Sequence, residues 1–363
     1  MQALLCGYYG EHNLGDDALL EALLAQLPPG WSALVTAFDE AEVRERHAVA
    51  TVQRRGVAGV LRALDRCDAL VFGGGSLLQD STSFRSLLYY AALVLKARWQ
   101  GKPVLLWGQG LGPLRRRRSR ALVAQVLPRV TAMSWRDPDS ARLARELGGS
   151  GPAGSDPVWS LRSVIPAAPV PSPAGAPLRP IVLCWRPVAQ LQGPAWSPYL
   201  EALAALAAGS GRPVLWLPFH QHQDRGLFEH LRQEGLLPPS LEGCSREVEA
   251  ATPEAAQAIF AGAGLVIAMR LHGLILAALA GAPCAALSYD PKVAAAAAAL
   301  ACPCHDLAAP VQAADLERAW AATLDHPLPA DRIEAQRQGT AVHRQLLLQH
   351  LSAPAGGVIS PGG

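Results

Sequence analysis

Aromatic side chains are scarce, at 6% of the chain, while alanine and leucine abound. No charge of one sign dominates: 32 lysines and arginines face 30 aspartates and glutamates, for a net charge of +2. That balance excludes the broad basic face of a nucleic-acid binder. Long apolar runs are missing as well. Ala-rich stretches such as 293–301 fall short of the ~18 residues of a spanning helix, and the opening Met1-Gln-Ala-Leu-Leu-Cys-Gly7 is too short and uncharged for a signal peptide. A soluble, cytoplasmic protein is expected. Cysteine is present but unpatterned. Cys302-Pro-Cys304 has no second pair at zinc spacing, so no metal is expected. Cys6, Cys184 and Cys284 sit in apolar runs as small core residues, and the odd, dispersed set suits a reducing compartment. The first glycine turn, Gly7 to Gly15, resembles a dinucleotide fingerprint only loosely, because its spacing is not G-x-G-x-x-G.

What is present is a repeated unit: an apolar strand, a turn rich in glycine or charge, then a helix. The chain's 363 residues suggest about two domains, and half of those residues are hydrophobic, ample for two cores. The clearest unit is 265–281. Leu265-Val-Ile-Ala268 reads as a buried strand, Arg270, His272 and Gly273 occupy the turn, and Leu274 to Ala280 form the helix. In an open parallel sheet this junction lies at the carboxyl ends of the strands, where ligands bind. A helix N-terminus there adds free N–H groups and partial positive charge. With Arg270 and His272 it suits a phosphate or carboxylate; a plain salt bridge for Arg270 is the alternative.

Earlier units carry Gly7-Tyr-Tyr-Gly10-Glu-His-Asn13-Leu-Gly15-Asp16-Asp17, Gly73-Gly-Gly75, Gly108-Gln109-Gly110 and Arg136-Asp137 after their strands. Asn13, Asp16 and Asp17 can cap the following helix, or one carboxylate can face a substrate. Arg136 can pair with Asp137 or point toward a ligand. The Pro-rich stretch 164–180 reads as a linker between two doubly wound α/β halves. The expected division is therefore 1–163, the linker 164–180, 181–325, a C-terminal helix over 326–351 and a disordered tail over 352–363. His220 and His222 alternate on an extended segment, so they face opposite ways, and with Asp224 they make a weak metal pattern. Arg115 to Arg118 form the one basic cluster. It reads as a solvated helix start or as a patch touching anionic lipid or a phosphorylated acceptor.

Taken in order, Asn13-Leu-Gly-Asp16-Asp-Ala-Leu-Leu, Gly73-Gly-Gly-Ser-Leu-Leu-Gln-Asp80, Gly108-Gln-Gly-Leu-Gly-Pro113, Arg136-Asp137, Arg270-Leu-His-Gly273 and Tyr289-Asp-Pro-Lys292 resemble the polysaccharide pyruvyl transferase family, most closely its bacterial CsaB-type members. The resemblance implies two Rossmann-like domains facing a cleft, similar to GT-B glycosyltransferases. It implies transfer of a pyruvyl group from phosphoenolpyruvate, a co-substrate, to a sugar as a cyclic ketal, with no cofactor. The implied acceptor is an N-acetylmannosamine unit of a polyprenyl-linked cell-wall polysaccharide precursor, and the ketal is a docking tag for S-layer proteins. Such an acceptor implies peripheral contact with the inner membrane face. The resemblance places donor-site residues at Arg136, Arg270, His272 and Lys292, with backbone contacts from Leu271. His272 is the expected acid and Asp16 the expected base. Asn13, Gly74, Gly75 and Gln109 complete the expected substrate contacts. A nucleotide-sugar glycosyltransferase, with Asp290 on the ribose, is the alternative on the same architecture.

Overall fold

The computed structural model describes residues 1–81, 83–163 and 178–351. Two six-stranded, all-parallel sheets organise the chain. The first contains β1 (Gln2–Tyr9), β2 (Ser32–Ala37), β3 (Ala50–Gln53), β4 (Ala69–Gly73), β5 (Val104–Gln109) and β6 (Ala132–Trp135), in the order β3-β2-β1-β4-β5-β6. The second contains β7 (Ile181–Cys184), β8 (Val214–Trp216), β9 (Ser245–Glu247), β10 (Leu265–Ala268), β11 (Cys284–Ser288) and β12 (Cys304–Asp306), in the order β12-β11-β10-β7-β8-β9. Both follow the doubly wound Rossmann order. The strand order reverses between β1 and β4 in the first sheet and between β7 and β10 in the second. Ligands bind beyond the carboxyl ends of strands at such reversals.

Central strands of parallel sheets are covered on both faces and read as unbroken apolar runs. Leu265-Val-Ile-Ala268 of β10 obeys this rule, with all four residues fully buried. The few aromatic residues are concentrated where they fill volume. Trp185, Trp196, Trp216 and Trp320 lie in the core of the second sheet, and Trp185 stacks on Trp196 at 5.8 Å between ring centroids. The chain forms two compact units. One comprises Met1–Glu11, Leu19–Ser160 and the chain from Arg337; the other comprises His12–Ala18 and Leu161–Gln336. Residues 164–177 and 352–363, which include most of the expected linker and the whole expected tail, lie outside the described residues.

Three local expectations change. The helix after β10 starts at Leu271 rather than Leu274, because Arg270 already has the extended backbone of an N-cap residue. The helix expected over 326–351 is two helices, Ala330–Gly339 and Ala341–His350. A Cβ at Gly339 would stand 2.2 Å from Ser155 Oγ, 3.1 Å from its Cβ and 3.2 Å from its N, so glycine lets the chain pass close to Ser155. His220 and His222 do not alternate on an extended segment. Gln221–Asp224 is a helical turn, and the two rings lie 6.1 Å apart. Among the described residues no helix is long and apolar enough to cross a membrane.

The helix Ala341–His350 packs on β5 and β6 and carries the fully buried His343. The Ser155 carbonyl lies 2.7 Å from its Nε2 and Ser134 Oγ lies 2.8 Å from its Nδ1. A carbonyl only accepts, so Nε2 carries the proton and Nδ1 accepts from the serine. Burial holds this imidazole below its ordinary range. Burial and then Arg46 push His47 down to about 4. Both groups bind a proton more readily when unfolded, so their contribution is present above the unfolded value, ~6.5, and is lost as pH falls through the folded one. Thermal midpoints are therefore expected to fall from pH 7 to pH 4.5, and less steeply in His343→Gln. Equal slopes in the two proteins would remove His343 from this account.

Candidate functional site

In the second unit, the strands flanking the reversal each end in an arginine. Arg186 follows β7 by two residues, and Arg270 follows β10 by two. Both guanidinium groups reach Gln223 Oε1, each at 3.1 Å. Arg186 also donates to the Tyr289 hydroxyl at 3.1 Å. Arg270 is fixed further by Asp224, whose side chain is fully buried. Arg270 donates from Nε to Asp224 Oδ2 at 3.0 Å and from Nη2 to Oδ1. The same Oδ2 accepts the backbone N–H groups of Phe219 at 3.1 Å and His220 at 2.8 Å. A buried carboxylate persists when its lone pairs are met in this way. The salt bridge considered for Arg270 is thus present. It uses Nε and Nη2, and Nη1 takes part in none of these bonds.

The segment His12–Ala18 belongs to this unit. It pairs with the loop after β8: Leu14 N donates to Phe219 O, and Gln221 N donates to His12 O, each at 3.0 Å. Asn13 acts as the cap of the helix Leu14–Gln26. Its Oδ1 accepts Gly15 N at 3.1 Å, and its Nδ2 donates to Asp16 Oδ2 at 2.6 Å. Asp17 is buried. Gly15 lies flat against His272. A Cβ built on it would come within 2.3 Å of His272 Nδ1 and 2.9 Å of Cγ. The fold therefore brings Asn13, Asp16 and His272 to one place, with Arg270 and Leu271 immediately before the histidine.

Lys292 lies half-buried in the first turn of the helix Pro291–Leu300, capped by Asp290, whose carboxylate accepts Lys292 N at 3.0 Å. Asp290 therefore serves as a cap. His220 neighbours Arg270. Burial first, and then the Arg270 charge, hold its imidazole below the ordinary histidine range. His12 stacks edge-on to His222 at 5.2 Å. Sequence reading did not identify Arg186, Gln223 or the fastening role of Asp224. A cation directly after each strand of a reversal is the signal that points to Arg186.

The remaining expected residues lie in the first unit. Gly74 and Gly75 follow β4 with φ of +68° and +69°, a backbone that side chains resist. Gln109 is buried, and its amide is consumed by this turn: Nε2 donates to Gly74 O, and Oε1 accepts Leu77 N at 3.4 Å. Gln109 thus shapes the glycine turn from behind. Arg136 is buried beside Asp156 and Asp137, at 3.5 Å from each, and donates to Ser76 Oγ at 3.0 Å. Gly110 makes room for it, since a Cβ there would lie 2.7 Å from Arg136 Nε.

The family model for polysaccharide pyruvyl transferase matches residues 13–291. Comparison with curated proteins gives no match. Among solved structures, the chain is similar to UDP-GlcNAc 2-epimerase from Neisseria meningitidis bound to UDP-GlcNAc, with a TM-score of 0.61, 11% identity, and coverage of 97% of this chain and 99% of that one. It is also similar to Anabaena Alr3699/HepE in complex with UDP and glucose, with a TM-score of 0.58, 13% identity, and coverage of 96% and 95%. These likenesses show the fold: a two-domain α/β architecture of the GT-B type.

Proposed function

This chain belongs to the polysaccharide pyruvyl transferase family, and from that premise we propose that it moves the pyruvyl group of phosphoenolpyruvate onto a sugar of a cell-surface polysaccharide precursor. The product is a cyclic ketal and inorganic phosphate. The acceptor is proposed to be a CsaB-type one, a polyprenyl-linked N-acetylmannosamine unit whose ketal serves S-layer anchoring. The reaction is proposed to occur on the cytoplasmic side without a cofactor. One observation carries the reading: the His272 imidazole rests on the Gly15 backbone, next to the Asn13–Asp16 pair and directly after Arg270.

Phosphoenolpyruvate carries a carboxylate and a phosphate on a three-carbon frame. Arg270 and Lys292 supply positive charge for these anions, and the N-terminus of the helix Leu271–Leu279 supplies N–H groups, including that of Leu271. Asp224 and Gln223 hold Arg270 in one rotamer, so little ordering remains at binding. Protonated His272 delivers its proton to the methylene carbon, which makes C2 electrophilic. A sugar hydroxyl attacks C2, and Asp16 takes its proton. Phosphate departs, taking the proton held by Asp16, as a second hydroxyl of the same sugar closes the ring on C2 and returns its own proton to His272. Histidine suits the acid because its ordinary range brackets neutral pH. Arg136, in the first unit, is proposed as a further substrate-binding cation.

The test is phosphate release from phosphoenolpyruvate with and without N-acetylmannosamine-containing acceptors, alongside thermal shift. Acceptor-dependent release is expected. Phosphoenolpyruvate at 100 times its Kd is expected to add about 2.7 kcal/mol of apparent stability. A shift with UDP- or GDP-sugars and none with phosphoenolpyruvate would replace this reading with nucleotide-sugar glycosyl transfer.

A further inference from the structure

Between Asp80 and Asp137 the chain has no acidic residue and eleven lysines and arginines, although the whole chain is nearly balanced. The helices Phe84–Trp99 and Arg117–Val126 fall within this stretch and pack on one another. The first buries Leu87, Tyr90, Ala91, Leu93, Val94 and Ala97 in the core. Its other side is also apolar. Leu88 is 46% exposed, Leu95 45% and Trp99 86%, and Ala92 between them is exposed too. At about 100° per residue these four project within an arc of roughly 60°, over a length of about 16 Å. Single exposed hydrophobic residues need no explanation, whereas an aligned stripe does.

Cations frame the stripe. Arg85 lies one turn before Leu88 and is exposed. The Arg118 guanidinium sits 4.3 Å from the centroid of the Phe84 ring, which brings the run Arg115–Arg118 to the start of the same helix. All four arginines are exposed, and neither they nor Arg85 forms an ion pair with a carboxylate among the described residues. The neighbouring acids are already engaged. Asp80 is buried and accepts the backbone N–H groups of Arg115 at 3.0 Å and Arg116 at 2.8 Å. Asp65, toward the other end, pairs with Lys96 at 2.8 Å.

We propose that this face docks on an anionic lipid bilayer, with Leu88, Leu95 and Trp99 at the headgroup–acyl boundary and Arg85 and Arg115–Arg118 on lipid phosphates. The charge pattern selects this occupant. A rim of one sign around an aliphatic and indole stripe matches an interfacial helix, where apolar burial and attraction to anionic headgroups act together. Neither contribution alone gives lasting attachment, and here one surface combines both.

The experiment is sedimentation of the full chain with vesicles of phosphatidylcholine, alone or mixed with phosphatidylglycerol. It compares wild type, a Leu95→Gln/Trp99→Gln double variant and a variant with Arg115 to Arg118 all changed to Gln. Thermal midpoints near wild type are expected, since every changed side chain is exposed. Wild type is expected to bind the anionic vesicles, to bind neutral ones at least tenfold less, and to release as salt rises. Each arginine removed is expected to cost about fivefold in partitioning, so the quadruple variant loses more than a hundredfold. The double variant is expected to lose at least tenfold. Wild-type partitioning by both variants, or equal binding to both vesicle types, overturns the proposal. So does a lipid-free dimer that only the double variant dissolves, which would make a second copy the occupant. No turnover is measured, so the result is independent of the reaction proposed above.

Discussion

Gly15→Ala is expected to lower turnover by about 10²–10⁴-fold, the range associated with losing a positioned acid or base, while leaving the fold near wild-type stability. Gly15 is the second residue of the helix Leu14–Gln26, and its φ is not positive, so alanine fits the backbone. On propensity alone the change favours the helix by about 0.5–1 kcal/mol. The obstacle is one neighbour. The new Cβ would stand 2.3 Å from His272 Nδ1, 2.9 Å from Cγ and 3.0 Å from the histidine's own Cβ. The near contacts include the root of the ring, so a small tilt does not clear them, and the imidazole must leave its position. His272→Ala removes the same group outright. Steady-state phosphate release from phosphoenolpyruvate should therefore fall by similar factors in the two variants. A Gly15→Ala protein that keeps half its activity beside an inactive His272→Ala protein would show that the ring works from another position. Full activity in both would remove His272 from the reaction.

That contact also marks where sequence reading stops. The β10 unit was legible because each part is local. Four apolar residues give a buried strand, Arg270 and His272 stand where it ends, and Gly281 closes the helix that follows. Both sheets are built from such units, so the doubly wound class followed. β3, β9 and β12 are not legible in the sequence, because each is an edge strand of three or four residues with none fully buried. Asp224 was read with His220 and His222 as a weak metal pattern. Its partner Arg270 is 46 residues away, and no local periodicity encodes that pairing. The resemblance puts Gln109 among the substrate contacts; that its amide also fastens the backbone at Gly74 and Leu77 is set by a neighbouring strand. Residue type and position within a strand–turn–helix unit thus locate a site. Which charge is held and which is offered depends on packing between units of the sheet.

The largest effect on stability is expected from Asp224→Ala. The buried carboxylate accepts from Arg270 Nε, Arg270 Nη2, Phe219 N and His220 N. Alanine leaves the guanidinium of a side chain that is only 12% exposed, together with two backbone N–H groups, without these acceptors. Breaking a buried ion pair from one side costs about 3–5 kcal/mol, because the other charge stays buried. Urea unfolding should register a loss of that size, and a loss under about 1 kcal/mol would show that water or another group replaces the carboxylate. Asp224→Asn separates anchoring from folding. Its one carbonyl oxygen can still accept, but its amide opposes a donor and its charge is gone. The protein should fold with a smaller deficit. Arg270 would then sample several rotamers before binding, and KM for phosphoenolpyruvate should rise by tenfold or more with kcat less affected. The reverse split, a normal KM with low kcat, would place Asp224 with the groups that act on the reacting atoms rather than with those that hold the anion site in shape.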